Sequence, residues 1–256
     1  MFKALAGLAA AVGLTFGMSV TGQAQSRFDG WSSVVIAADW RDGAGKPIDA
    51  FDNARRDLST ALVGAGLPRD LHRSITLNPS KPDAAPPAEA LRQMGETLSS
   101  GSRGCLLYLT SHGSPGELVF GDTRGIAPAD LSGWLRRWCD VRPTIVVLSA
   151  CYSGSFVDAL KAPNRLIMTA ARRDRSSFGC GAGETYPWYD ACILETLPQA
   201  DDFLTLAQMT RTCVSRRETD AEIDTPSEPQ VFVGSEMQYR LPVLRFNRAQ
   251  SFSSAN

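Results

Sequence analysis

Short, unbroken runs of aliphatic and β-branched residues recur along this 256-residue chain and alternate with longer amphipathic stretches. The runs are "SVVIAA" (33–38), "SITLN" (74–78), "CLLYLT" (105–110), "TIVVLSA" (144–150), "RLIMTAA" (165–171) and "QVFVGS" (230–235). A strand that faces water on one side alternates polar and apolar residues, whereas a continuous apolar run marks a strand covered on both faces. Apolar residues at helical spacing fill 48–66, 88–100, 128–139, the region around 188–197, and 203–217. The proline-rich "PSKPDAAPPAE" (79–89) reads as a loop into a helix, and "LVFGDTRGI" (118–126) as a small hairpin outside the main sheet. Strand and helix in alternation predict an α/β fold: a mainly parallel central sheet with helices on both faces. No repeat or linker divides it, so one domain is expected, with the direction of the last strand open.

The first two dozen residues stand apart. Lys3, an apolar small-residue run and the small-x-small "GQA" ending at Ala24 have the build of a secretory signal peptide over 1–24. The domain is then expected over 25–245, with a polar C-terminal tail over 246–256, and the protein is expected to be periplasmic or secreted. The leader is short, glycine-interrupted and followed by no cationic stop, so no stable membrane association is expected after its cleavage. With 26 Lys and Arg against 27 Asp and Glu and no basic block, the chain lacks the electrostatic footprint of a nucleic-acid binder.

Only two histidines occur, His72 and His112. His72, in the polar "RDLHRS", reads as a surface residue. His112 follows a buried-type strand directly, in "LLYLTSHG", and Cys151 follows the next one, in "IVVLSAC". In open parallel sheets, ligands bind beyond the carboxyl ends of the strands, and successive strands of a right-handed β-α-β unit commonly lie side by side. That arrangement brings a thiol and an imidazole together, as a nucleophile and its base require. Backbone N–H groups after Cys151, with that of Gly113, would be placed to stabilise an oxyanion. Cys151 read alone remains open between a packed thiol, half of a disulfide and a nucleophile. The rest of the chain offers no competing chemistry: no metal-ligand spacing, hence no cofactor, no Gly-x-Ser-x-Gly elbow, and a "GCGAG" cluster without the strand–helix setting of a dinucleotide site.

A hydrophobic strand ending in His-Gly, then one ending in Ala-Cys, resembles the caspase–legumain clan of cysteine peptidases. "CYSGSF" and "LIMTAARRDRSSFGCG" (166–181) are similar to its legumain-like branch. The resemblance implies a caspase-like three-layer α/β/α sandwich, a peptide or protein substrate, and no cofactor. It implies Cys151 as nucleophile, His112 as general base and acid, and Gly113 and Cys151 as backbone oxyanion donors. It further implies a substrate-pocket arginine near the end of the first strand, for which Arg41 is the available residue. Two places before the nucleophile, where legumains carry an acid and caspases a glutamine, this chain has Ser149. The long helical prodomain of legumains has no counterpart in the sequence.

Cys105 opens one strand and Cys139 precedes the next, at the sheet end opposite Cys151, so a Cys105–Cys139 disulfide is expected. Cys180, Cys192 and Cys213 leave the choice of a second bridge open. "RRDRSSF" (172–178) reads as a solvated loop, or as the rim of the substrate cleft in a caspase-like fold. Tyr186, Trp188 and Tyr189 read as loop packing or cleft wall. The functional expectation is an exported cysteine endopeptidase. The same thioester passed to an amine would make a transpeptidase or transamidase, and a non-catalytic caspase-like binding protein is the alternative of another class.

Overall fold

A computed structural model describes residues 27–247; the expected leader and residues 248–256 lie outside the described residues. In chain order the elements are β1 (Trp31–Ala37), α1 (Ala50–Gly64), β2 (His72–Thr76), α2 (Pro87–Ser100), β3 (Gly104–Thr110), β4 (Gly113–Ser114), β5 (Glu117–Leu118) and α3 (Pro128–Cys139). They continue with β6 (Thr144–Ser149), α4 (Val157–Leu160), β7 (Arg165–Thr169), α5 (Trp188–Thr196), α6 (Phe203–Asp220), β8 (Gln230–Val233) and α7 (Ser235–Arg240).

Six strands form one sheet in the order β2-β1-β3-β6-β7-β8, all parallel except β8, which pairs antiparallel with β7. The direction left open by the sequence is thus that of an antiparallel edge strand. Strands β1, β3, β6 and β7 are buried along their whole length, as their continuous apolar runs require. Successive residues feed opposite cores. Leu106, Tyr108, Ile145 and Val147 pack in the core that holds α1, α5 and α6, while Leu107, Leu109, Val146 and Leu148 pack in the one that holds α2 and α3. The result is a three-layer sandwich.

Local signals explain where the helices begin. Pro87 and Pro128 occupy the first turns of α2 and α3, where a missing N–H costs nothing. Asp202 caps α6 by accepting from the Thr205 N–H at 2.8 Å. Each helical layer carries a disulfide, Cys105–Cys139 tying β3 to α3 and Cys192–Cys213 tying α5 to α6. Cys151 and Cys180 are free.

Three details differ from the sequence reading. The expected 118–126 hairpin survives as a two-bond bridge between Leu118 and Ile126. The tighter hairpin is β4–β5, turned by Pro115 and by Gly116 at φ +81°, a position that favours glycine. Phe246, assigned to the polar tail, is buried against Phe28 and Phe203, and the Asn247 N–H reaches the Ala65 carbonyl at 2.8 Å, so the packed domain runs past 245.

Candidate functional site

Strands β3 and β6 are neighbours, with Thr110 paired to Ser149 at their carboxyl ends. The Ser111 N–H continues the ladder to the Ser149 carbonyl at 3.0 Å. His112 and Cys151 each follow two residues after this pair, so they leave the sheet side by side toward the α1–α5 layer. Beyond them, the Gly113 backbone lies on the Cys151 carbonyl: a methyl group at Gly113 would stand 2.3 Å from that oxygen. Only glycine allows so close an approach here.

His112 is half-buried and held from two sides. Its Nε2 lies 2.8 Å from the Arg41 carbonyl. A carbonyl only accepts, so Nε2 carries the proton of this bond and Nδ1 is left free for proton transfer. The ring also meets the edge of Phe51, from α1, with centroids 5.0 Å apart. Arg41 therefore contributes its backbone to the site. Its guanidinium is committed elsewhere: to Asp39 and Asp122, each at 2.8 Å, and to the Gly121 carbonyl at 2.8 Å.

Cys151 sits at a sharp turn. Tyr152 takes φ +56°, a left-handed conformation unfavourable for a bulky residue, and a short 3₁₀ turn over Ser153–Phe156 follows. The turn is pinned to the loop after β7: Tyr152 N–H donates to the Arg175 carbonyl at 2.8 Å and Gly154 N–H to the Ala171 carbonyl at 2.9 Å. That loop then closes over the thiol. The Ser177 N–H points at Sγ from 3.3 Å, with the Ser177 hydroxyl at 3.5 Å, and the Cys180 thiol hydrogen-bonds to it as well. Cys180 first, and Ser177 after it, hold the Cys151 thiol well below the ordinary thiol value, against the opposing effect of burial; the charge of His112 adds a smaller lowering. Cys180, the donor of the pair, is pushed up. Cys151 is thus the group poised to be a thiolate. The expected rim segment 172–178 does border the site through Ser177, while Arg172 is tied to Asp174 and Glu228. Trp188 packs on Phe178 behind the rim, Tyr189 is core, and Tyr186 donates to Asp57 at 2.6 Å.

Beneath the two strand ends lies a residue the sequence reading did not single out. Asp190, on α5, is 0% exposed and accepts from Tyr108 Oη at 2.5 Å and Thr110 Oγ1 at 2.6 Å, both on β3; the Ser149 hydroxyl on β6 also hydrogen-bonds to it. One carboxyl therefore joins the strand that ends at His112 to the strand that ends at Cys151. Burial raises its pKa to about 6, against the lowering by these hydroxyls. The signal was an aspartate on the buried face of an apolar helix, in "WYDACILET". Ser149, expected in the substrate pocket, is 2% exposed and turned to Asp190.

His72 also differs from expectation. It opens β2, its Nδ1 lies 2.7 Å from Ser33 Oγ, and burial lowers its pKa to about 4, which makes it a neutral histidine of the framework. Among the described residues, no group of three His, Cys, Asp or Glu side chains is arranged to hold a metal ion.

Residues 88–208 match the Peptidase C13 family, a span that runs from α2 into α6 and includes both His112 and Cys151. Among solved structures, caspase-1 from Spodoptera frugiperda superposes with a TM-score of 0.58 over 88% of this chain and 94% of that one. At 15% sequence identity this likeness shows a caspase-like fold. No curated protein matches the sequence.

Proposed function

We propose that this chain, whose residues 88–208 match the Peptidase C13 family on a caspase-like fold, is a cysteine-type peptidase that works as an exported endopeptidase, with Cys151 as the nucleophile and His112 as the general acid and base. The observation that carries the reading is the pair itself: a thiol of lowered pKa and an imidazole with one free nitrogen, at adjacent strand ends.

The Cys151 thiol gives its proton to the free Nδ1 of His112, and the resulting thiolate attacks the scissile carbonyl carbon. The negative charge that develops on the carbonyl oxygen is met by the N–H groups of Gly113 and Cys151, whose close approach the glycine permits. His112, held in orientation by the Arg41 carbonyl and Phe51, gives a proton to the departing amine, and the C–N bond breaks to leave a thioester. His112 then takes a proton from water, whose oxygen attacks the thioester carbon and releases the acid product and the thiolate.

Export is supported by the sequence of 1–24 together with two disulfides, which persist in oxidising compartments. Neither residue expected in the pocket supplies it with a free charge, since the Arg41 guanidinium is ion-paired and Ser149 is buried against Asp190. With Arg41 already neutralised by Asp39 and Asp122, and no acid at 149, the site favours a small or neutral residue before the scissile bond over an acidic one. A peptide-library digest with the wild type, Cys151→Ala and His112→Ala tests this reading. Cleavage by the wild type alone, after small or neutral residues, is expected; cleavage by Cys151→Ala removes the nucleophile assignment.

A further inference from the structure

At the amino ends of the strands, opposite the peptidase site, a cleft of about 380 Å³ is lined by Arg27, Trp31, Arg103, Pro143, Arg240 and Val243. Its position is fixed by the sheet: Trp31 opens β1, Arg103 immediately precedes β3 and Pro143 immediately precedes β6. Three arginines converge on it, no acidic residue lines it, and none of the three has an acidic partner among the described residues. Other arginines, among them Arg41, Arg55, Arg92, Arg172 and Arg216, are neutralised in ion pairs. Overall charge is near balance, whereas the charged residues that line this cleft are all cationic. Unpaired guanidinium groups set around one concavity match a phosphate, which takes hydrogen bonds from several of them at once.

Val243 lines the cleft, and two further exposed apolar residues adjoin its lining residues in the chain. Val243 is 61% exposed; Tyr239, next to Arg240, is 83% exposed; and Val141, two residues before Pro143, is 78% exposed. These are three of the four large hydrophobic residues left exposed on the described surface. A free anion would not need them, but a headgroup at the boundary of a hydrocarbon layer would.

We propose that this end of the sheet is a docking surface for an anionic phospholipid membrane, with Arg27, Arg103 and Arg240 receiving a lipid phosphate and Val141, Tyr239 and Val243 entering the interface. Such contact is peripheral and reversible, compatible with a chain whose described helices include none long and apolar enough to cross a membrane. It turns the carboxyl ends of the strands, where His112 and Cys151 lie, away from the membrane toward soluble protein substrates. The inference stands independently of the peptidase reading.

The test is sedimentation of the exported, purified protein with vesicles of phosphatidylglycerol and phosphatidylcholine (1:1), compared with phosphatidylcholine alone. Binding is expected to the anionic vesicles only, to weaken in 0.5 M salt, and to persist in millimolar inorganic phosphate. The Arg103→Gln/Arg240→Gln variant should bind about 30-fold more weakly, at about 1 kcal/mol for each cation near an anionic surface, while Arg103→Lys/Arg240→Lys retains most of the binding. Far-ultraviolet circular dichroism and the melting temperature report whether the variants are folded. Equal binding to both vesicle types, unchanged binding of the folded glutamine variant, or displacement by inorganic phosphate would each overturn the proposal, the last by assigning the cleft to a free anion.

Discussion

Replacing Asp190 by asparagine should flatten part of the acid branch of the stability curve. The carboxyl is fully buried, its pKa is about 6 in the folded chain, and an unfolded aspartate titrates near 3.8. The gap of about two units is worth about 3 kcal/mol, at 1.36 kcal/mol per unit. The sign follows from proton binding. Below pH 3.8 the group is protonated in both states and no cost arises. Between about 4 and 6 the unfolded chain loses its proton while the folded one keeps it, so stability falls as pH rises; above 6 the full cost is present. The substituted asparagine cannot ionise, and its side chain still offers an acceptor to one of the hydroxyls of Tyr108, Thr110 and Ser149. Urea unfolding at pH 4 and pH 7 should therefore show the wild type losing about 3 kcal/mol relative to Asp190→Asn between the two. An identical pH dependence in both proteins would refute the claim that Asp190 bears a buried, titrating charge. Asp190→Ala is expected to be worse than Asp190→Asn at either pH, because it leaves three buried hydroxyls without their acceptor at about 1–3 kcal/mol each.

Four further outcomes follow from other contacts. Removing the Cys105–Cys139 bridge by paired alanine substitution frees a loop of sequence separation 34 and should lower stability by about 3–4 kcal/mol, read from denaturant midpoints. Gly113→Ala sets a methyl group against the Cys151 carbonyl and should lower kcat/KM at least about 100-fold through displaced reacting groups, with a smaller change in melting temperature. Cys180→Ala removes the first donor to the Cys151 sulfur, so the pH midpoint for alkylation of Cys151 by iodoacetamide should move upward. Phe51→Ala takes away the ring against His112 and should lower kcat while leaving the iodoacetamide rate at Cys151 nearly unchanged.

Much of this fold was legible because buried parallel strands are written as unbroken apolar runs, and the order β-α-β places successive strand ends together. His112 and Cys151 could therefore be paired from sequence, and Cys105 could be paired with Cys139, since each pair depends only on strand neighbours. What escaped the sequence depended on contacts between distant elements. Asp190 reaches the strand ends from α5, and Asp122 neutralises Arg41 across 81 positions. His72 reads as polar surface until β2 carries it against Ser33. The antiparallel direction of β8 follows from how the long α6 returns the chain to the sheet edge, which no local pattern encodes. Cys192–Cys213 needed the α5–α6 packing, which leaves Cys180 free to turn toward Cys151.

Two thiols are free in the described structure, and only one of them is assigned the chemistry. The most direct test is covalent labelling with a peptidyl acyloxymethyl ketone bearing a small neutral residue next to the reactive group, followed by mass-spectrometric mapping. A single adduct on Cys151, absent from Cys151→Ala and retained in Cys180→Ala, is the predicted result. An adduct on Cys180, or labelling that survives the loss of Cys151, would contradict it.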